Sequence, residues 1–132
     1  INLATVHKNL QEFDQAAKLY EVAIEGRKAT EGEESANYGM AKSMAGSCYR
    51  ELGQLDKAET YLKDAYMIIA MTHGEDHIAA SSVLNGLGLL QKRQKKNERA
   101  KDSLSRALKI AEDTIGQAHP ETLATRHNLG EL

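Results

Sequence analysis

The sequence predicts an all-α protein built as a solenoid of stacked antiparallel helix pairs. Sliding the 132-residue chain against itself by 42 positions makes 18 of 90 aligned pairs identical, the mark of an internal repeat. One Pro, one Phe, five Tyr and no Trp lean the composition towards helix. Apolar and small residues recur at i, i+3, i+4 and i+7, and no alternation of period two runs beyond a few residues.

Each 42-residue period holds two helical stretches, A and B. The chain opens on the tail of an A stretch at about 1–10, and the first B helix is expected over about 14–30. A then returns at about 35–51, B at 56–72, A at 77–93, B at 98–114 and A at 119–132. The array is thus one domain over 1–132, with repeats at about 1–34 (partial), 35–76, 77–118 and 119–132 (partial). Ala16, Ala58 and Ala100 share one register, as do Ala23, Ala65 and Ala107; Tyr20, Leu62 and Leu104 form the apolar column between them. Asp14, Asp56 and Glu98 open the B helices, where a carboxylate caps free N–H groups or meets the positive dipole end. Gly32, Gly74 and Gly116 close them, as a chain entering a left-handed conformation requires. His119-Pro120 suits an N-cap followed by Pro at the first helical position. The turn from A to B is tight, as at Leu52-Gly53-Gln54.

Composition excludes several classes. Seventeen Lys and Arg against 19 Asp and Glu give a net charge of −2, which offers no whole-molecule field for nucleic acid or an anionic membrane. A single Cys excludes a disulfide framework and any Cys-only metal site, and suits a reducing compartment. The longest clean apolar run, Met67 to Met71, is far short of the ~20 residues a bilayer needs, so no direct membrane insertion is expected. There is no initiator Met and no basic-then-apolar leader. Both ends read as the middle of a helix, so the chain is expected to be a piece of a longer polypeptide.

The spacing Gly46-x2-Tyr49 followed by Ala58-x3-Leu62 and Ala65 resembles the tetratricopeptide pattern L-G-x2-Y…A-x3-F. Ala45 replaces the usual Leu, and the Trp position is lost to Lys42, Leu84 and Arg126. The 42-residue period, with Thr114-Ile115-Gly116-x2-His119-Pro120 and the Asn128-Leu129-Gly130 run, is similar to the longer repeats of kinesin light chains and nephrocystin-type proteins. That resemblance implies a right-handed superhelix with A helices lining a concave groove and B helices mostly outside. Such surfaces bind extended or helical segments of protein partners.

Two sets of residues are candidates for that groove. Lys8, Arg50 and Lys92 stand 42 apart, so stacking places three cations in a row, with Arg93, Lys42 and Arg126 adding to it. They read as a basic rail for an acidic peptide, or as cations placed at negative helix ends by the dipole alone. The second set is Asn2, Asn85 and Asn128 with His127, similar to the Asn-Asn-Leu-Ala run of kinesin light-chain repeats. An Asn amide clamps peptide backbone with a donor and an acceptor. Ser43-Met44 breaks that ladder in the second copy, and Ser43 and Ser47 join the expected groove.

Other features read as structure. His73-Gly74-Glu75-Asp76-His77 superficially resembles a metal site, but Gly74 ends a helix and breaks the continuous i, i+4 geometry that helical zinc pairs use; His77 is expected in a loop and N-cap role. Lys92-Arg93-Gln94-Lys95-Lys96 is a solvated turn without aromatics interleaved. Cys48 aligns with Val6, Leu90 and Leu132 and reads as a small buried residue. No catalytic set, cofactor loop or metal site is expected. The expected function is a non-enzymatic adaptor or scaffold that binds a partner peptide, acidic on the rail reading, in the cytoplasm. The competing expectation is a structural subunit or assembly factor of a large complex, organellar or mitochondrial if a targeting segment was removed. A regulatory solenoid joined to an enzyme domain is the third.

Overall fold

In the computed structural model, residues 3–31 and 36–131 are described, without the side chains of 3–9, 27, 29–31 and 36. Six helices follow in order: α1 (Leu3–Glu31), α2 (Ala36–Glu51), α3 (Leu55–His73), α4 (Ile78–Arg93), α5 (Asn97–Ile115) and α6 (Pro120–Gly130). No strand occurs among the described residues. Each helix packs on its neighbour in sequence, α2 on α3 and α4 on α5 most extensively. The molecule is an all-α solenoid in which α2, α4 and α6 are A helices, and the second half of α1, α3 and α5 are B helices.

The repeat columns become the core. Ala58, Leu62, Ala65 and Ile69 on α3 are fully buried, and Ala100, Leu104 and Ala107 repeat the arrangement on α5. Small residues let the pairs approach closely. A Cβ added at Gly46 would lie 2.8 Å from Leu62 Cγ, and one at Gly88 would lie 2.5 Å from Leu104 Cγ. Cys48 is buried, and burial pushes its thiol up, away from nucleophilic character.

The turns follow the chemistry of their residues. After α2, Gln54 N–H donates to Tyr49 C=O and Gly53 N–H to Arg50 C=O, with Gly53 at φ 81°, a helix-ending motif built on one left-handed residue. Lys95 takes that role after α4 at φ 64°, so a packed pair can impose the turn without glycine. Gly74 and Gly116 end α3 and α5 at φ 95° and 88°; Gly32 lies outside the described residues. The A helices α4 and α6 begin under imidazole caps, Ala79 N–H donating to His77 Nδ1 (3.0 Å) and Glu121 N–H to His119 Nδ1 (3.1 Å). Pro120 follows at the first helical position. Asp56 and Glu98 sit in the first turns of α3 and α5, but the N-cap residues Gln54 and Lys96 make no side-chain cap bond. Their contribution is therefore dipolar rather than capping.

One expected break is absent. The A tail at 1–10 and the B helix at 14–30 form a single 29-residue helix. The register of Gly53 and Lys95 is held here by Gln11, flanked by Leu10 and Glu12, all good helix formers. Nothing interrupts the hydrogen-bond ladder, and residues 10–15 lie exposed along it.

Candidate functional site

The A helices define the candidate face. α2 and α4 meet directly across repeats, whereas α3 and α5 make no comparable approach, so the array curves with its A helices inside. Along α2, Ser43, Ser47 and Arg50 follow at i, i+4 and i+7, on one helix face. Asn85 and Lys92 repeat that line on α4, and His127 and Glu131 carry it onto α6.

The structure brings part of the expected set together. Asn128 Nδ2 donates to Asn85 Oδ1 at 3.1 Å, joining α6 to α4 through two half-buried amides. Lys92 Nζ bonds Glu131 Oε2 at 3.1 Å, and His127 Nε2 lies 2.8 Å from Glu131 Oε1. The Lys92 hydrogen bond and charge, with His127 beside it, hold the Glu131 carboxyl below the ordinary carboxylate value. Ser47 is half-buried, while Ser43 on the same line is buried at 8% exposure. The Lys8 side chain and Asn2 lie outside the described residues.

The arginines serve the array itself. Arg50 Nη1 donates to the Gly86 carbonyl at 3.3 Å, and its side chain is only 13% exposed. Arg93 donates to the Arg50 carbonyl. Carbonyls at a helix C-terminus lack partners within the helix, so each guanidinium ties a repeat to its neighbour. Lys42 and Arg126 stand off the line altogether. Lys42 Nζ pairs with Asp64 at 3.1 Å and lies over the Tyr38 and Tyr61 rings, joining α2 to α3. Burial alone would lower the Lys42 ammonium, but the bond and charge of Asp64 hold it above its ordinary value. Arg126 pairs with Glu112 at 3.1 Å, joining α6 to α5.

Sequence reasoning missed a polar clamp between the first and second repeats. Glu21 Oε1 on α1 accepts from Tyr49 OH of α2 at 2.7 Å and from Tyr61 OH of α3. Lys57 Nζ lies 4.3 Å from the Tyr49 ring centre, within cation–π range. Burial raises the Glu21 carboxyl, but the two hydroxyl bonds with Lys57 and Lys42 outweigh it and hold it below 4.5. Burial and that carboxylate push both tyrosines well above their ordinary value. Position 21 aligns with Lys63 and Ser105, so the repeat pattern carries no signal for it.

Elsewhere, His73 and His77 rings meet edge to face at 4.6 Å, and the His77 cap uses the nitrogen a metal would need. No cluster of three metal-ligating side chains occurs among the described residues, nor any helix long and apolar enough to cross a membrane.

The tetratricopeptide repeat family model matches residues 1–69 and again 46–113. The chain belongs to the tetratricopeptide repeat family. Such repeats indicate a protein–protein interaction module, typically non-enzymatic, that binds protein partners. The solved structure of BtubC (BKLC) from P. vanneervenii superposes with a TM-score of 0.80 at 29% identity, over 92% of this chain and 48% of that one. It is a kinesin-light-chain-like protein, in keeping with the 42-residue period. The secreted RxLR effector protein RXLR-C07 of Plasmopara halstedii is 29% identical over 135 aligned positions, all of this chain and 41% of that protein. This chain therefore spans less than half the length of either.

Proposed function

We propose that the polar face of the A helices binds an extended, acidic segment of a protein partner, and that the module works as an adaptor without catalysis. The observation that carries this is the Asn85–Asn128 bond between adjacent A helices beside half-exposed Lys92. It leaves the Asn85 amide N–H and the Asn128 carbonyl for peptide backbone, and Lys92 for a carboxylate. The groove set is Lys8, Ser43, Ser47, Arg50, Asn85, Lys92, Arg93, His127 and Asn128. Lys92, Asn85, Asn128 and His127 meet the ligand, while Arg50 and Arg93 hold the repeats in line. Lysine cross-linking of the complex from its native source tests this reading. Cross-links from Lys8 and Lys92 to an acidic segment of one partner support it. With that segment as ligand, Lys92→Glu is expected to weaken binding roughly tenfold, and Glu131→Gln, which frees Lys92 and His127, to strengthen it. An affinity that ignores both changes sinks the groove.

A second reading, a fixed subunit of a larger assembly, is favoured by Met67 and Met71, one turn apart on α3 and 60% and 68% exposed. Apolar side chains on an outer B helix suit a permanent interface. That reading expects cross-links from Lys57, Lys63, Lys101 and Lys109 to stoichiometric neighbours, and binding insensitive to salt. The adaptor belongs in the cytoplasm and the fixed subunit in a mitochondrion; secretion, which the effector's name states of that protein, is the third setting. Fractionation of the native source separates the three.

A further inference from the structure

Three features at the front of the array lack a partner that their equivalents have one repeat later. Leu19 and Val22 on α1 are 71% and 72% exposed. Their equivalents at 42 residues on, Tyr61 and Asp64, meet Tyr49 and Lys42 of the A helix α2. Met44 on α2 is 48% exposed, whereas its equivalent Gly86 lies against Ser47 and Arg50 of the preceding A helix. Between them, Tyr20, Ala23, Met40 and Met44 line an empty hollow of about 170 Å³. Each is a seat for an A helix at the first position. Residues 3–10 carry that helix's register: Leu3, Val6, His7 and Leu10 align with Ala45, Cys48, Tyr49 and Leu52, of which the first three are buried and the fourth half-buried.

We propose that residues 3–10 are a closing strap. α1 bends at Leu10-Gln11-Glu12 and seats 3–10 antiparallel on Leu19, Val22 and Met44, in the geometry by which α2 covers α3. Gln11 holds the register of Gly53 and Lys95, and Lys95 shows that a side chain is tolerated there at positive φ. Two features keep the closed form from being permanent: the left-handed conformation disfavours Gln11, and Ala4 replaces the close-packing glycines 46 and 88. Closure brings Lys8 to the position of Arg50, in line with Lys92. Resting on the groove reading above, the strap therefore regulates that groove by completing its first third.

Spin labels at Thr5→Cys and Lys28→Cys, with Cys48→Ala, read the two forms in the full chain without any partner. The straight helix separates them by about 35 Å, and the closed one by under about 20 Å. The expected result is a short-distance population that grows with Gln11→Gly and disappears with Leu19→Glu. One long distance in every variant overturns the strap. A short distance that appears only with rising protein concentration also overturns it, in favour of a second copy on the same seat. Because no peptide is present, failure here leaves the groove reading standing, and loss of Lys92-dependent binding leaves the strap standing.

Discussion

The second half of α1 and the whole of α3 are the same helix by register, yet they are sealed to different degrees. Ala58, Leu62 and Ala65 are fully buried on α3, while Ala16, Tyr20 and Ala23 stay half-exposed on α1. α3 lies between α2 and α4, whereas α1 has α2 alone. The comparison shows that a B helix gains its core only from two A helices, one on each side. An amphipathic stripe states what can be buried; the neighbours decide what is.

The largest test removes the shared column. Leu62→Ala deletes a side chain with no exposed surface and is expected to cost about 2–5 kcal/mol in urea unfolding. Tyr20→Ala, at the same register but half-buried, is expected to cost about 1 kcal/mol or less. Equal losses would mean that α1 is sealed as well as α3, and the comparison would fail.

A methyl group at the close-packing position is the next probe. In an exposed helix Gly→Ala gains about 1 kcal/mol, but at Gly88 the new Cβ would sit 2.5 Å from Leu104 Cγ, whose side chain is fully buried. Gly88→Ala is therefore expected to destabilise by about 1–3 kcal/mol, and Gly46→Ala, at 2.8 Å from Leu62 Cγ, by somewhat less. Thermal unfolding that rises in either variant would show that the pairs can ease apart.

Much of this was legible in the sequence because packing repeats and surfaces do not. The columns at Ala58, Leu62 and Ala65, with the glycines at 74 and 116, placed α3 and α5 to within a residue of their ends. The straight run of α1 was not legible: Gln11 aligns with a turn residue, and the choice between turn and helix there belongs to the neighbours it packs on. On the candidate face, the 42-residue spacing of Arg50 and Lys92 correctly put cations near the ends of A helices. It could not show that Arg50 and Arg93 spend their donors on the carbonyls of adjacent helices, because a carbonyl is the same in every residue. Lys42 and Asp64, or Tyr61 and Glu21, pair across helices with no counterpart in the other copies, so no periodicity announces them.

The smallest test concerns how the poorly sealed first repeat is held. Where α5 uses apolar burial, α1 adds the Glu21 carboxylate bonded to Tyr49 and Tyr61. Its carboxyl is lower when folded than when unfolded, so the clamp contributes fully above the unfolded value and is lost as pH falls through the folded one. Partial exposure limits that contribution to about 1 kcal/mol. On acidification below about pH 4.5, amide protection in α1 is expected to fall before protection in α5. Glu21→Gln removes this titration and no other, so its α1 should lose that extra acid sensitivity while α5 responds as before. If α1 of the variant remains as acid-sensitive as the parent, the clamp is incidental, and the single contact with α2 is what holds the first helix.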